Sequence, residues 1–261
     1  MCEGKSVPIR HLVFVAKWIG VRCLEYMLDT FPEDDYTIVV CEPEADVSVA
    51  LLETRGLSYM RLDEDSLKVI KEMEDGHYDW LLNLWGGYIF KSDILSRARH
   101  TLNIHPAYLP YCRGRDPVVW AIRKGYPAGV TLHAITQGID EGPIWYREEM
   151  PYALPILGGD LYSLVAVRCW KVFCEQWTTL RKGSVIPVPQ TMSDDLITFR
   201  RADLLVDRCI NIDTEGAAVR DVILRLLAHD FSPEYSAQVV INNQAYNATL
   251  LLSPVGEAKS I

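Results

Sequence analysis

No run of apolar residues in this chain is long enough to cross a bilayer. Its first residues, Met1-Cys2-Glu3-Gly4-Lys5, lack the apolar core of a signal peptide. A cytoplasmic protein with no membrane partner is therefore expected. After the first apolar run there is only Gly20 and no Gly-x-Gly-x-x-Gly, so a nicotinamide-dinucleotide fingerprint is missing. The seven cysteines are odd in number and no two are spaced Cys-x-x-Cys, which suits reduced and mostly buried thiols. His11, His77, His100 and His229 have no cysteine or carboxylate at ligand spacing, so no metal site is expected. There is no internal repeat and no low-complexity tract. Positive charge is in short supply, with 26 Lys and Arg against 35 Asp and Glu, a net charge of -9. That balance disfavours a nucleic-acid partner.

What is present reads as an ordinary globular chain of 261 residues, 49% hydrophobic and 23% charged. His11–Ala16 and Tyr36–Cys41 are short apolar runs that suit buried parallel strands. Between them Val21 to Phe31 has a helical pattern, stopped by Pro32. This β-α-β opening predicts a doubly wound, Rossmann-like α/β fold with a mostly parallel sheet. Further along, Val47–Arg55 and Glu64–Asp75 read as helices, Leu57–Met60 as a short strand and Ser92–Arg99 as a short helix. Trp80–Leu84 reads as a strand that runs into a glycine-bearing loop, Trp85-Gly86-Gly87-Tyr88-Ile89-Phe90. Ligands of open α/β sheets bind at that strand edge.

Asp116–Arg123 reads as a helix, with Pro117 in its first turn and Gly125 at its end. Asp160 is expected to cap a long helix, Leu161 to Arg181. The proline-rich segment Ile186–Gln190 divides the chain into 1–190, a main domain, and 191–261, a small α+β extension. The extension is expected to hold a helix, Glu215 to Ala228. It would end in a β-hairpin, Gln238–Ile241 and Ala245–Leu252, about the turn Asn242-Asn243.

The chemistry concentrates between Leu102 and Arg147. Asn103 and His105 stand two apart in an extended run and leave the same face of a strand, which Pro106 ends. Asp140 lies in Gly138-Ile139-Asp140-Glu141-Gly142-Pro143, a tightly bending loop after a second strand, Gly129–Ala134. An amide, an imidazole and a carboxylate are what acyl transfer to an amine requires. Arg113-Gly114-Arg115 is placed to meet an anionic part of a substrate. His133 reads as a hydrogen-bonded core histidine that supports the Asp140 loop, and Glu141 as a solvated loop residue.

The pattern Asn-x-His-Pro-x-x-Leu-Pro-x-x-Arg-Gly, then Trp-Ala-Ile, Gly-Val-Thr-Leu-His and Gly-Ile-Asp-x-Gly-Pro-Ile resembles the formyltetrahydrofolate-dependent formyltransferase family. The resemblance implies that Asn103, His105 and Asp140 pass a formyl group from N10-formyltetrahydrofolate to an amine. It also implies that the folate is received by the loop Trp85, Gly86, Gly87, Tyr88 and Ile89, with Gly138 and Ile139. The first turn would face the amine substrate, making Lys17 a phosphate contact. Cys112 departs from the family, many of whose members carry a larger or more polar residue there.

Within the family, methionyl-tRNA formyltransferases generally carry a larger C-terminal domain and a basic surface. Glycinamide ribonucleotide formyltransferases carry a glycine-rich loop after the first strand. The length and C-terminal layout are most similar to the sugar N-formyltransferases, which act on a 3- or 4-amino group of nucleotide-linked dideoxyhexoses. These are commonly dTDP-linked and serve surface polysaccharides such as O-antigen. A diphosphate would then be met by Lys17, Arg113, Arg115 or Arg200, and the family's dimers imply a homodimer. A formyltetrahydrofolate hydrolase and a non-catalytic module on the same fold are the remaining alternatives.

Overall fold

The computed structural model describes residues 7–41, 46–191 and 196–253. In chain order, β1 (Arg10–Val15), α1 (Lys17–Thr30), β2 (Asp35–Val40), α2 (Asp46–Thr54) and β3 (Met60–Arg61) form the opening. Next come α3 (Glu64–Lys71), β4 (Tyr78–Leu84), α4 (Ser92–Leu95) and β5 (Ala98–His105). The chain continues through β6 (Arg113–Gly114), α5 (Pro117–Lys124), β7 (Ala128–His133), β8 (Ile144–Met150) and α6 (Gly158–Leu180). The remainder holds β9 (Thr198–Phe199), α7 (Arg201–Arg208), β10 (Cys209–Asn211), α8 (Val219–Ala228), β11 (Ala237–Ile241) and β12 (Gln244–Ala248).

The main sheet has the order β3-β2-β1-β4-β5-β7-β8. Pairings from β3 through to β5 are parallel, while β5–β7 and β7–β8 are antiparallel. The expected doubly wound, mostly parallel sheet is therefore present. Its strands are apolar on both faces because both are covered. In β1, Val13 and Val15 join a core with α1, α5 and α6, while Leu12 and Phe14 point to the other face with Ile70 of α3 and Ile94 of α4.

Several boundaries differ from the sequence expectation. Helix α1 starts at Lys17, before Val21, and α6 starts at Gly158 with Leu157 as its N-cap. Asp160 therefore lies in the first turn of α6 and is not its cap. The expected strand Leu57–Met60 is reduced to β3, and the expected helix to Asp75 ends at Lys71. Helix α4 stops at Leu95 because the chain from Ala98 is drawn into pairing with β4. Strand β8 and helix α7 were not legible as periodic patterns.

The hairpin turn forms as expected. Asn242 and Asn243 have φ of 49° and 62°, and two positive values match the right-handed twist of the flanking strands. Strand β10 adds a parallel partner to β11, so the extension carries a three-stranded sheet. It docks on α5 through a buried ionic cluster. Arg123 holds Asp207 at 2.7 and 2.8 Å, and Asp207 accepts from His229 at 2.9 Å.

Candidate active site

The register of the sheet builds the site. Asn83 of β4 is paired with Asn103 of β5, and Asn103 with His133 of β7. Three polar side chains thus form one row across three strands, at the strand spacing of about 4.8 Å. His105 stands two residues beyond Asn103, opposite Thr131. Asp140 is brought over the row by its loop, in which Asp140 itself takes the left-handed conformation at φ 54°. Gln190 holds that loop from outside, donating to the carbonyls of Asp140 and Gly142 at 2.8 and 2.7 Å.

The hydrogen bonds define a connected network. Asn103 Oδ1 accepts from Asn83 at 2.8 Å, while its Nδ2 faces His133 Nε2 at 3.0 Å and Asp140 Oδ1 at 3.5 Å. His133 Nδ1 donates to the Ala134 carbonyl at 2.8 Å. His105 donates from Nε2 to the carbonyl of Cys112 at 3.1 Å and presents Nδ1 to Asp140 Oδ2 at 3.5 Å. Asp140 Oδ2 also accepts the N–H of Gly114 at 2.9 Å.

Burial holds the imidazole of His105 below its ordinary value and outweighs the opposite pull of Asp140, so the ring is neutral near pH 7. Burial works the other way on Asp140. There the nearby His105, His133 and the Gly114 N–H prevail and keep the carboxyl well below the usual carboxylate range. A neutral, buried imidazole beside an ionised carboxylate can accept a proton and have the resulting charge stabilised. The adjoining amide can donate to a developing oxyanion.

These groups line a cavity of about 1360 Å³, larger than the few hundred to about 1000 Å³ usual for a site holding one small ligand. Its wall includes Asn103, His105 and Asp140 together with Trp85, Gly86, Gly87, Tyr88 and Ile89. Gly138 and Ile139 line it as well, as do Lys17, Arg115 and Arg200. Arg113 is placed elsewhere. Its guanidinium is buried, bonded to Glu141 at 2.8 Å and to the Leu196 carbonyl at 2.6 Å, and does not line the cavity. Arg113 is thus positioned to brace the Asp140 loop through Glu141, which is exposed as expected and also serves as its ion-pair partner. Cys112 is buried, burial pushes its thiol up to about 12, and it reaches the site only through its carbonyl.

Sequence reasoning missed Asn83, whose signal was a lone amide inside the apolar run Trp80–Leu84. It also missed Phe231, Tyr235 and residues Thr249–Leu251, which bring the C-terminal extension into the same cavity wall. Phe231 and Tyr235 bridge a turn between α8 and β11, and Thr249–Leu251 follow β12. Their place in the wall is set by packing between distant segments and not by any local pattern.

Comparison with known proteins agrees with this geometry. Residues 65–156 match the model of the family described as Formyl transferase. A methionyl-tRNA formyltransferase of Synechococcus sp. (strain JA-3-3Ab) is 34% identical over 118 residues, 45% of this chain and 35% of that protein. The chain thus spans about a third of that relative's length. The solved structure of a 4-N formyltransferase from Francisella tularensis superposes with a TM-score of 0.80 at 18% identity, covering 95% of this chain and 99% of that one. An N-formyltransferase from Helicobacter canadensis, solved with folinic acid and dTDP-3-aminofucose, gives 0.72 at 18% identity, covering 90% and 85%. Residues 65–156, which hold the amide, the imidazole and the carboxylate, are thus similar to the Formyl transferase family, and the chain has the fold of the sugar N-formyltransferases.

Proposed function

We propose that the protein is an N-formyltransferase that moves a formyl group from N10-formyltetrahydrofolate to the 3- or 4-amino group of a dTDP-linked dideoxy sugar. The observation that supports this reading is the shared cavity. Asn103, His105 and Asp140 line the same space as the glycine-bearing loop after β4 and as Arg115, Arg200 and the C-terminal tail. The volume suits two substrates meeting there. Gly87 and the second lone pair of the Gly86 carbonyl suit the polar edge of a pterin, and the cationic side chains suit a diphosphate.

When both substrates are bound, the donor supplies a formyl carbon for the amine to attack. One Nδ2 hydrogen of Asn103 is held by His133. The other, which faces Asp140 only at 3.5 Å, is the one that can turn to the oxygen on which charge develops. Because His105 Nε2 is occupied by the Cys112 carbonyl, the proton leaving the amine is carried at Nδ1, against Asp140. Asp140, held well below the carboxylate range, is the poorer base and serves to orient and stabilise the imidazolium.

The same resemblance supports a division into a catalytic part, 1–190, and a smaller unit, 191–261. It also supports a cytoplasmic homodimer that supplies sugars for surface polysaccharide. The test is tetrahydrofolate release from N10-formyltetrahydrofolate with a panel of dTDP-amino sugars, a sugar-free control and His105→Ala. Sugar-dependent release that the variant loses is the expected result. Release without sugar would indicate a hydrolase, and release only with Met-tRNA would transfer the reading to the tRNA branch.

A further inference from the structure

We propose that Asn83 is a positioning residue, which sets the direction in which the amide of Asn103 points. The kinetic part of this inference rests on the formyltransferase reading, and the spectroscopic part does not.

An amide side chain is nearly symmetric in shape, so packing alone does not choose which end is the donor. Around Asn83 the choice is made by backbone. The N–H of Gly86 donates to Asn83 Oδ1 at 3.1 Å, and Asn83 Nδ2 donates to the Gly86 carbonyl at 3.0 Å. A peptide N–H can only donate and a peptide carbonyl can only accept, so Asn83 has one orientation. Its second Nδ2 hydrogen points at Asn103 Oδ1, 2.8 Å away. That turns the NH2 of Asn103 towards His133 Nε2 and Asp140. His133 then accepts at Nε2 and must carry its proton on Nδ1, where the Ala134 carbonyl waits at 2.8 Å. Each link has one donor and one acceptor, from the peptide of Gly86 to the imidazole of His133.

The fit is close as well as directional. A Cβ on residue 86 would lie 2.6 Å from Asn83 Oδ1, so the approach needs a glycine there. With the amide of Asn103 reversed, its oxygen would face the ionised Asp140 and an unprotonated ring nitrogen. No donor would then point at the reacting oxygen. Asn83 also ties that donor to the loop Trp85–Phe90, so the loop and the amide are set together.

The variant Asn83→Asp is nearly isosteric. It keeps an acceptor for the Gly86 N–H but has no donor for Asn103, whose amide is expected to reverse. The expected kcat loss is about 100- to 1000-fold, the size of a lost oxyanion donor, with a far smaller change in KM for the formyl donor. In an Asn103→Ala background the same change should cost nothing further, because both act through one group. An additive loss would overturn the proposal.

Imidazole 15N NMR of the unmodified protein should show His133 as the Nδ1–H tautomer, with the Nε2–H form gaining in Asn83→Asp. An Nε2–H tautomer in the unmodified protein would overturn the orientation whatever the activity. A protein that formylates nothing yet shows Nδ1–H at His133 would instead defeat the formyltransferase reading and leave the orientation standing. If Asn83→Asp does not fold, Asn83→Ala carries the same kinetic and non-additive expectation.

Discussion

His105 Nδ1 and Asp140 Oδ2 stand 3.5 Å apart, yet the first is on β5 and the second in the loop after β7. Both are nearly shut off from solvent, the carboxylate with 14% of its side-chain surface exposed. In Asp140→Asn an oxygen remains for the Gly114 N–H but the charge that stabilises an imidazolium is gone. A fall in kcat of about 10²- to 10⁴-fold is expected, the range of a general acid–base contribution, with folding intact by circular dichroism. Unchanged turnover would remove Asp140 from the mechanism.

The same pair sets a pH dependence. Burial keeps His105 below its ordinary value, so as the solution is acidified the unfolded chain takes up that proton first. Stability is therefore unaffected by this group above about pH 6.5 and falls as the pH drops from there towards the folded value. Asp140, depressed, adds stability above the ordinary carboxylate range and loses it only in stronger acid. Urea unfolding between pH 8 and 5 should show stability declining below about 6.5, less so in His105→Gln. A rise on acidification over this range would contradict the sign given for His105.

Arg123 and Asp207 form a two-point ion pair with only 6% and 13% of their side chains exposed. Asp207→Asn leaves Arg123 with Asp221 at 2.9 Å, and Arg123→Met leaves Asp207 with His229 at 2.9 Å. Neither charge is wholly stranded, so each change should cost about 1.5–3 kcal/mol in equilibrium unfolding, the size of hydrogen bonds to a charged group. A loss below about 1 kcal/mol would mean the pair behaves as a surface bridge.

The two arginines of the Arg113-Gly114-Arg115 turn should separate. Arg113→Ala is expected to lower Tm by releasing Glu141 and the Leu196 carbonyl, with little change in KM for the sugar. Arg115→Ala, on the cavity wall, should raise KM for the sugar and leave Tm in place. Between them Gly114 has φ 88° and lies hard against the Phe199 carbonyl. Gly114→Ala should therefore destabilise by about 1–3 kcal/mol and disturb the N–H that anchors Asp140.

The contrast at that turn shows what was legible in the sequence. Asn103, His105 and Asp140 could be placed because strand alternation and loop glycines are local rules. The sheet could be foreseen because buried parallel strands read as unbroken apolar runs. Arg113 could not be told from Arg115, since which arginine turns inward depends on Leu196 and Glu141, far away in the chain. Asn83 was hidden for the same reason, its partner being set by the register between β4 and β5. Asp160 looked like a cap because an aspartate directly ahead of a helical pattern is a preferred N-cap. The helix begins earlier, at Gly158 and Gly159, which are poor helix formers. The close approach of Gly159 to the Asp230 carbonyl, through a 2.9 Å hydrogen bond, makes them helical all the same.

The segment Ile186–Gln190, which looks from composition like a place to cut the chain, is a fastener. Val188 exchanges backbone hydrogen bonds with Ile144 at 2.7 and 2.8 Å, and Gln190 clasps the loop of Asp140. The second half of that loop, from Asp140 to Ile144, is thereby stitched to the strap that leads into the extension. Tension or truncation at the strap would be felt first at the carboxylate. Excising the extension just before these residues would leave every reacting group in the chain and slacken the one that must be held still.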